Sequence, residues 1–423
     1  MLYHLYQWLQ SAGLKIPGMG MFQFITFRSM MAILLSLFIT LVYGKSIILF
    51  LQKKQVGESV RELGLHGEEQ KKGTPTMGGF IILLGILIPT LLFANLDKVY
   101  IKLLLLTTIW LGIVGFVDDY LKLRAKRLSQ EQGIPYKKGD KDGLAGWFKI
   151  LGQVGLGIII SITLLFNDHV KVLREYNGLS KPANATVVKF QGGERYFVKA
   201  NEPITTIPFI KNHEFNYAKL LPSGLRQYGW VVYMLVIIFI VTAVSNGANI
   251  TDGLDGLATG VSAIIGVCLA LFAYASGNLI IADYLNIMYI PNLGEASIFI
   301  AAMIGACIGF LWYNTYPAQV FMGDTGSLAL GGIIASLAIM VRKELLIPIF
   351  CAVFLVENLS VIIQVSYFKY TKKKYGEGKR VFLMSPLHHH YQKKGYHESK
   401  IAVRFWIITL LFVVFAVLSL KMR

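Results

Sequence analysis

Two short segments of the chain place acidic side chains where they could bind a cation. Asp118 and Asp119 are adjacent, and Lys122 lies one helical turn after Asp118 on the same helix face. Asp324 follows Gly323 directly before another apolar stretch. Carboxylate oxygens, with water and phosphate oxygens, form the usual shell of Mg²⁺, so these residues predict a divalent-cation site. Two simpler interpretations stay open: an acidic pair neutralised only by Lys122, and Asp324 as a helix N-cap.

A second polar run carries amides and carboxylates at helical spacing. Asn246 and Asn249 are one helical turn apart, and Asp252 and Asp255 repeat that spacing. The run does not fit an EF-hand loop, whose acidic residues alternate and end in glutamate. A plain turn would rarely need so many polar groups, and polar groups at the edge of a membrane must be paired. The run therefore predicts a ligand site.

Basic and histidine residues supply groups that suit phosphate. Lys71 precedes Thr76 in a glycine-containing turn that leads into a predicted helix, whose free N–H groups could bind an anion. A solvated lysine at a plain loop-to-helix junction is the alternative.

His388, His389 and His390 are consecutive, so their side chains point in different directions and do not close a zinc site without distant ligands. Contact with phosphate or sugar oxygens is the expected role.

The elements that must position these residues are long apolar stretches. The 423-residue chain is 55% hydrophobic and carries a formal net charge of +17. Uncharged runs of about 18 residues or more are long enough to cross a bilayer, and because they are continuous rather than alternating they predict helices. The expected fold is an all-α polytopic membrane protein, a single integral membrane domain over residues 1–423. About ten spans are predicted, near residues 24–51, 77–96, 100–117, 148–166, 229–246, 256–276, 296–313, 326–341, 345–369 and 401–420.

The loops divide the basic residues unequally. Lysines and arginines concentrate in the connections 52–76, 118–147 and 370–400, which the positive-inside bias places in the cytoplasm. The connections 247–255 and 314–325 alternate with these three and belong to the same set. The polar segments described above fall in or beside these five connections, so ten spans would bring them to one membrane face. Nucleic-acid binding is not expected, because the basic residues lie in short loops and no binding module is apparent.

The connection 167–228 belongs to the opposite set and is unusually long. Alternating stretches at Thr186–Phe190 and Arg195–Val198 flank Gly192 and Gly193, a pattern that predicts a small extracytoplasmic β-hairpin. We expect this segment to be an insert within the membrane domain.

Five motifs together resemble the phospho-N-acetylmuramoyl-pentapeptide transferase family, within the polyprenyl-phosphate N-acetylhexosamine-1-phosphate transferase superfamily. The match covers nearly all predicted spans. The motifs are KxGTPTMGG (Lys71 to Gly79), DDYLK (Asp118 to Lys122), NGANITDGLDGLA (Asn246 to Ala258), FMGDTGSL (Phe321 to Leu328) and PLHHHY (Pro386 to Tyr391). The aspartate pair and the asparagine–aspartate run look like the whole superfamily, whereas TPTMGG and the triple histidine look specific to this family.

The resemblance implies a ten-helix fold in a bacterial inner membrane, usually a homodimer, with the active site on the cytoplasmic face. It implies Mg²⁺-dependent transfer of phospho-MurNAc-pentapeptide from UDP-MurNAc-pentapeptide to undecaprenyl phosphate, which yields UMP and lipid I. A transferase for UDP-GlcNAc in the same superfamily is an alternative, against which the triple histidine argues. A membrane transporter is an alternative of another class, although transporters usually place polar groups near the midplane.

The resemblance also implies roles for residues. Asp324 is the expected chief Mg²⁺ ligand, and Asp118 with Asp119 would position the lipid phosphate or help deprotonate it. A covalent phospho-enzyme on Asp118 and direct attack by the lipid phosphate are both compatible with these residues. Lys149 is a weak match to a basic family position. The expected substrate-binding residues are Lys71, Thr76, Lys122, Asn246, Asn249, Asp252, Asp255, Phe321 (on uracil), Gly323, His388, His389 and His390.

Overall fold

Long apolar helices make up most of the molecule. The structure is a computed structural model and describes residues 1–14, 16–54, 71, 73–131, 143–170, 172–175, 186–190, 193–200, 203–207 and 214–421. Within these ranges, nine helices are long and apolar enough to cross a membrane, and a tenth apolar helix, Gly79–Phe93, has 15 residues. The prediction of an all-α polytopic membrane protein with about ten spans is confirmed.

The bounds of the helices are α1 (Leu2–Ser11), α2 (Ile25–Lys53), α3 (Gly79–Phe93), α4 (Val99–Glu131), α5 (Gly146–Phe166), α6 (Gly229–Thr251), α7 (Leu257–Gly277), α8 (Leu279–Leu285), α9 (Ala296–Asn314), α10 (Gly323–Met340), α11 (Ile347–Phe350), α12 (Ala352–Tyr375), α13 (Leu387–Lys393) and α14 (Glu398–Leu418). The two longest connections between consecutive helices are residues 54–78 before α3 and residues 167–228 before α6.

The long connection between α5 and α6 contains two small antiparallel sheets. The strands are β1 (Val172–Glu175), β2 (Thr186–Phe190), β3 (Gly193–Ala200), β4 (Ile204–Thr206) and β5 (Glu214–Asn216). In the first sheet β3 pairs with both β1 and β2, and in the second β4 pairs with β5. The predicted hairpin is confirmed as the β2–β3 pair, with Phe190 opposite Gly193; its turn residue Gly192 lies outside the described residues.

Helix α10 is the centre of the bundle. Of its 18 residues, all from Thr325 to Met340 are buried. Small residues let neighbouring backbones approach it closely, the usual basis of helix packing in membranes. A side chain at Gly115 of α4 would place its Cβ 2.2 Å from the carbonyl oxygen of Asp324. This contact brings the middle of α4 against the N-terminus of α10.

Two helices depart from the predicted spans. Helix α4 continues to Glu131, beyond the predicted end at residue 117, so Asp118 and Asp119 lie inside a helix rather than at its end. The predicted span 345–369 is divided, because α11 ends at Phe350 and α12 begins at Ala352. Hydropathy marks the apolar part of a helix and not its polar continuation, which explains the first difference.

The insert is joined to the bundle through buried charged residues after α10. Thr206 of β4 donates its N–H to the carbonyl of Arg342 (3.0 Å), and the Lys343 ammonium donates to Thr206 Oγ1 (2.7 Å). The Tyr217 hydroxyl donates to Glu344 Oε1 (3.2 Å). Arg342, Lys343 and Glu344 are all buried. Since buried charges must be paired, these contacts fix the insert to the end of α10 opposite Asp324.

Lys343 should make stability depend on alkaline pH. Burial lowers its pKa to about 8, with Glu344 opposing the shift. The unfolded chain then binds more protons than the folded one above about pH 8, so the thermal midpoint of unfolding in detergent should rise between about pH 8 and pH 9.5. The rise should correspond to at most about 3 kcal/mol.

A Lys343→Met variant should lack this rise, whereas Lys219→Met, which removes a nearby exposed lysine, should retain it. An equal alkaline rise in Lys343→Met and in the unmodified protein would contradict the assignment.

Candidate active site

Three carboxylates converge where α4 meets the N-terminus of α10. One oxygen from each of Asp118, Asp119 and Asp324 lies within 4.8 Å of the others. Asp118 and Asp119 are buried, and Asp324 is partly exposed. The sequence separates these residues by about two hundred positions, and the close α4–α10 contact brings them together. The cluster is therefore a product of helix packing.

Asp119 caps the N-terminus of α10 from another helix. Its Oδ1 accepts the backbone N–H of Asp324 (3.1 Å), and its Oδ2 accepts the N–H and the hydroxyl of Thr325 (2.9 and 2.7 Å). The first N–H groups of a helix need such acceptors, and a negative charge is favourable there. Asp324 is not the N-cap that its sequence context also permits: α10 begins at Gly323, and Asp324 lies in its first turn.

Two lysines hold the other two carboxylates. The Lys122 ammonium lies 2.5 Å from Asp118 Oδ2 and 3.0 Å from Asp324 Oδ2. The Lys149 ammonium lies 2.8 Å and 2.6 Å from the same two oxygens. Asp118 Oδ1 accepts the N–H of Leu144 (2.7 Å). Three carboxylates beside two ammonium groups leave one formal negative charge, so the site favours a further cation.

The two asparagines of α6 have different surroundings, although the sequence predicts that they face the same way. Asn249 Nδ2 donates to Asp324 Oδ1 (2.8 Å) and to Ser327 Oγ (2.9 Å), so it belongs to the carboxylate cluster. Asn246 Nδ2 donates to Gln153 Oε1 (3.0 Å) on α5, away from the cluster. A separation of three residues turns side chains by about 60° from each other, enough to send them to different neighbours.

A second cluster surrounds Lys71. Its ammonium lies 2.8 Å from Asp255 Oδ1 and 2.7 Å from Glu398 Oε2, and 5.9 Å from the centre of the Phe321 ring. Burial alone would lower the pKa of Lys71, but the two carboxylates outweigh burial and raise it above its ordinary value. Lys71 is therefore a fixed positive charge. Asp252, the remaining carboxylate of the run, directly follows α6.

The segment before α3 runs beside the segment before α10. Phe321 donates its N–H to the carbonyl of Pro75 (2.9 Å), and Gly78 donates its N–H to the carbonyl of Phe321 (2.8 Å). Gly323 has a φ of 72°, and a Cβ there would lie 2.7 Å from Asp119 Oδ2 and 3.1 Å from Thr76 Oγ1. A side chain at residue 323 would therefore obstruct the carboxylates, and Thr76 lies at their edge.

The three histidines of α13 have three different environments. His388 is fully buried, where Glu357 accepts its backbone N–H (3.2 Å) and lies 3.1 Å from its Nδ1. His389 Nδ1 lies 2.6 Å from Gln392 Oε1. His390 Nδ1 accepts the N–H of Leu383 (3.1 Å). The histidines thus diverge, as expected for consecutive residues, and only His388 points inward.

Glu357 fixes the orientation of His388. A carboxylate 3.1 Å from Nδ1 favours the tautomer with its proton on that nitrogen, in which Nε2 is an acceptor. Nε2 is buried without a protein partner among the described residues and faces Gly253, where a Cβ would lie 2.2 Å away. Gly253 adjoins Asp252, so His388 reaches the asparagine–aspartate run.

A Glu357→Gln variant should lower kcat/KM by about 10- to 100-fold, because the amide cannot accept both N–H groups and would move the proton to Nε2. Activity and the thermal midpoint of unfolding should be measured together. The control is Glu377→Gln, which changes an exposed glutamate after the end of α12 and should leave both quantities unchanged. Near-normal kcat/KM in Glu357→Gln, with the midpoint unaltered, would contradict this role.

Lys149 belongs to the carboxylate cluster and Glu398 to the cluster around Lys71. From the sequence, Lys149 is only a weak match to a basic family position, and Glu398 has no predicted role. Lys149 is the one charged residue of α5, and Glu398 is the one acidic residue of α14; each lies in the first turn of its helix. That position in the sequence could have indicated a role for both residues, because a charged residue at the edge of a span usually has a partner. The identity of the partner depends on tertiary packing, which the sequence does not display.

The carboxylate cluster fits a divalent metal ion. Its donors are carboxylate oxygens, the ligands that Mg²⁺ prefers. They lie within 4.8 Å of one another, and the residual negative charge remains after the two lysines are counted. Asp118 and Asp324 face the lysines, while both oxygens of Asp119 already accept hydrogen bonds from α10. The residues present could therefore hold a metal, with Asp324 the most accessible of the three.

The bundle of long apolar helices identifies a polytopic membrane protein. The carboxylates, lysines and amides gathered at one end of it form a site for charged ligands. Residues 101–342 match Glycosyl transferase family 4, a region that contains Asp118, Asp119, Asn249 and Asp324. The chain is therefore an integral membrane transferase of this class.

Proteins that align with the chain over its full length identify its family within this class. The chain is 56% identical to a protein of Flavobacterium psychrophilum, 55% to one of Flavobacterium johnsoniae and 53% to one of Amoebophilus asiaticus, each aligned over 100% of both chains. All three are named phospho-N-acetylmuramoyl-pentapeptide-transferase. The chain belongs to the phospho-N-acetylmuramoyl-pentapeptide transferase family, and the resemblance read from the five motifs is confirmed.

Proposed function

We propose that the protein transfers phospho-MurNAc-pentapeptide from UDP-MurNAc-pentapeptide to undecaprenyl phosphate, forming lipid I and releasing UMP for peptidoglycan synthesis. The observation that carries the proposal is the joint placement of Asp118, Asp119 and Asp324 with Lys122 and Lys149 at one end of the bundle. Both reactants are anionic, and a site of this kind can neutralise their charges at the membrane boundary, where a soluble nucleotide meets a lipid phosphate.

The site lies on the cytoplasmic face of the bacterial inner membrane in this proposal. The support is the charge pattern: basic residues are concentrated in the loops at the carboxylate end of the bundle, as the positive-inside bias requires. The protein acts as a homodimer, an expectation that follows from the family and is open to direct measurement of mass in detergent.

The reaction exchanges one phosphoanhydride for another. An oxygen of the lipid phosphate attacks the phosphorus attached to the sugar, a new P–O bond forms, and the bond to the UMP oxygen breaks. Lys122 and Lys149 would bind the phosphate oxygens, since their ammonium groups lie at the cluster and both side chains are partly exposed. The charges of the attacking and leaving groups are thereby balanced by protein groups before the bond changes.

The contacts of Asp118 suit it to keep Lys122 and Lys149 in position. Its Oδ2 faces both ammonium groups, and its Oδ1 accepts the N–H of Leu144. A carboxylate engaged at both oxygens is a weak nucleophile, so we propose direct attack by the lipid phosphate. Asp119 holds the N-terminus of α10 and acts as a positioning residue.

A magnesium ion would be held by Asp324, with Asp118 and Asp119 beside it. When bound, it would neutralise the diphosphate oxygens and make the phosphorus more electrophilic. Asn249 orients the carboxylate of Asp324 through the hydrogen bond at 2.8 Å.

The nucleotide and sugar occupy the second cluster in this proposal. Lys71, fixed by Asp255 and Glu398, would bind a phosphate oxygen, and Phe321 would stack on uracil. His388 with Asp252 would contact the sugar-phosphate side. His389 and His390 point in other directions, so the contact predicted for them is not part of this proposal. Thr76 and Gly323 border the carboxylate cluster. Asn246 serves the packing of α6 on α5 through Gln153, so its role is indirect.

The experiment is a UMP-release assay with purified protein, UDP-MurNAc-pentapeptide and undecaprenyl phosphate. UMP should appear only when donor, lipid phosphate and Mg²⁺ are all present. UDP-GlcNAc should neither replace the donor nor compete at equal concentration; replacement would favour the UDP-GlcNAc alternative. Transport of the donor into vesicles without UMP release would favour the transporter alternative. A covalent phosphosugar adduct trapped from donor alone would contradict direct attack.

A further inference from the structure

An apolar slot opens between α12, α13 and α14, outside both clusters. Its volume is about 320 Å³, and Val356, Leu387, Ile401, Phe405 and Phe412 are among its lining residues. A cavity of this size falls at the lower end of the range for small-molecule sites. The slot does not contain the carboxylates, Lys71 or His388, so the proposed transfer reaction leaves it without a role.

The slot opens sideways toward the lipid. Val356 is 43% exposed, Ile408 41% and Phe412 40%, and the helices that carry them are candidate membrane spans. Apolar side chains exposed on a spanning helix face acyl chains. Arg404 and Phe412 are eight residues apart on α14, which corresponds to about 12 Å along the helix axis. The slot is thus elongated along the span and accessible from the hydrocarbon.

Arg404 is the one charged residue among the described residues that line the slot. It lies six residues after Glu398, or about 9 Å into the span by helical rise. Its guanidinium lies 5.1 Å from the centre of the Tyr396 ring. Arg404 is exposed, and within the described part of the chain it forms no hydrogen bond or ion pair, so its guanidinium is available to an external ligand. An anion from outside the chain would satisfy it.

The charges around the slot favour a negative occupant. Lys400 lies 5.7 Å from the centre of the Tyr396 ring, and Lys394 lies 5.9 Å from that of Tyr391, so two more cations border the same end. The nearest acidic residue of α14, Glu398, is already engaged by Lys71 and Gln392. Basic pockets between spanning helices bind anionic phospholipid head groups.

We propose that this slot is a binding site for an anionic phospholipid, with the phosphate on Arg404 and one acyl chain along Val356, Phe405 and Phe412. Guanidinium groups bind phosphate through paired, charge-assisted hydrogen bonds. The acyl chain would also contact Leu387 and Tyr391, so the lipid would support α13, the helix that carries the three histidines. The inference concerns binding alone and does not depend on the proposed transfer reaction.

The test is native mass spectrometry of the full chain in detergent with phosphatidylglycerol, or with phosphatidylethanolamine of the same chains. The unmodified protein should retain phosphatidylglycerol at least several-fold more strongly, and Arg404→Gln should weaken that binding by about tenfold or more. Lys102→Gln, which removes an exposed cation from α4, is matched in charge and should bind normally. Val356→Trp fills the slot with all charges intact and should also reduce binding.

A thermal scan without lipid shows whether each variant is folded, and added phosphatidylglycerol should raise the midpoint only where Arg404 and the open slot remain. Equal phosphatidylglycerol binding by the unmodified protein, Arg404→Gln and Val356→Trp would overturn the proposal. So would Arg404-dependent binding of undecaprenyl phosphate in preference to phosphatidylglycerol, which would make the slot a site for the carrier lipid. Arg404-dependent pairing of two copies without retained lipid would assign the face to a dimer interface instead.

Discussion

Replacement of Asp324 by asparagine should reduce UMP release by at least about 10³-fold while the protein remains folded. The Asp324 carboxylate is the common partner of Lys122, Lys149 and Asn249. Asparagine keeps the size of the side chain but removes its charge. The two ammonium groups would then share Asp118 alone, and the proposed metal would lose its most accessible carboxylate.

Two measurements separate chemistry from stability in this variant. Steady-state UMP release should be followed over a range of Mg²⁺ concentrations, and the thermal midpoint should be recorded on the same preparation. The control is Asp97→Asn, whose carboxylate is on the opposite end of the bundle and whose side chain is 78% exposed. Asp97→Asn should behave as the unmodified protein. Near-normal, Mg²⁺-dependent turnover in Asp324→Asn would refute the metal assignment.

Hydropathy and charge were sufficient to predict the helices and the end of the bundle at which the polar segments meet. Spanning helices must satisfy their own backbone hydrogen bonds, so their presence depends on local composition. Contacts such as Lys71 with Asp255 and Asn249 with Asp324 join these polar segments in the structure. The polar residues of the predicted span 345–369 and Pro348 indicate that this span is irregular. They do not locate the division at Cys351, because the residues on both sides of it are apolar.

The partners of individual polar residues could not be predicted from spacing. Asp119 accepts hydrogen bonds from the first turn of α10, a helix about two hundred residues away in sequence. Asn246 points to Gln153 because α5 packs on α6 at that level. Each case depends on the axial position of one helix against another, and small-residue contacts such as that of Gly115 with Asp324 set those positions.

The packing of α5 against the carboxylate cluster changes the expected chemical role of Lys149 more than that of any other residue of the site. Its ammonium contacts the same oxygens of Asp118 and Asp324 as Lys122 does. A lysine there binds substrate phosphate but also competes with a metal ion for the carboxylates. Lys149→Gln should therefore have two effects of opposite sign: slower turnover and tighter Mg²⁺ binding. A purely structural lysine would not produce this combination.

We expect Lys149→Gln to lower kcat by about 100-fold, the scale of one lost charge contact to a developing phosphoryl charge. The Mg²⁺ concentration for half-maximal activity should fall, because one less cation shields the carboxylates. Lys53→Gln removes an exposed lysine at the end of α2 and should change neither quantity. Lys149→Arg keeps the charge, so its half-maximal Mg²⁺ concentration should stay near that of the unmodified protein, even where its different geometry slows turnover. If Lys149→Gln instead requires more Mg²⁺, the lysine supports the metal-binding geometry and does not compete with the ion.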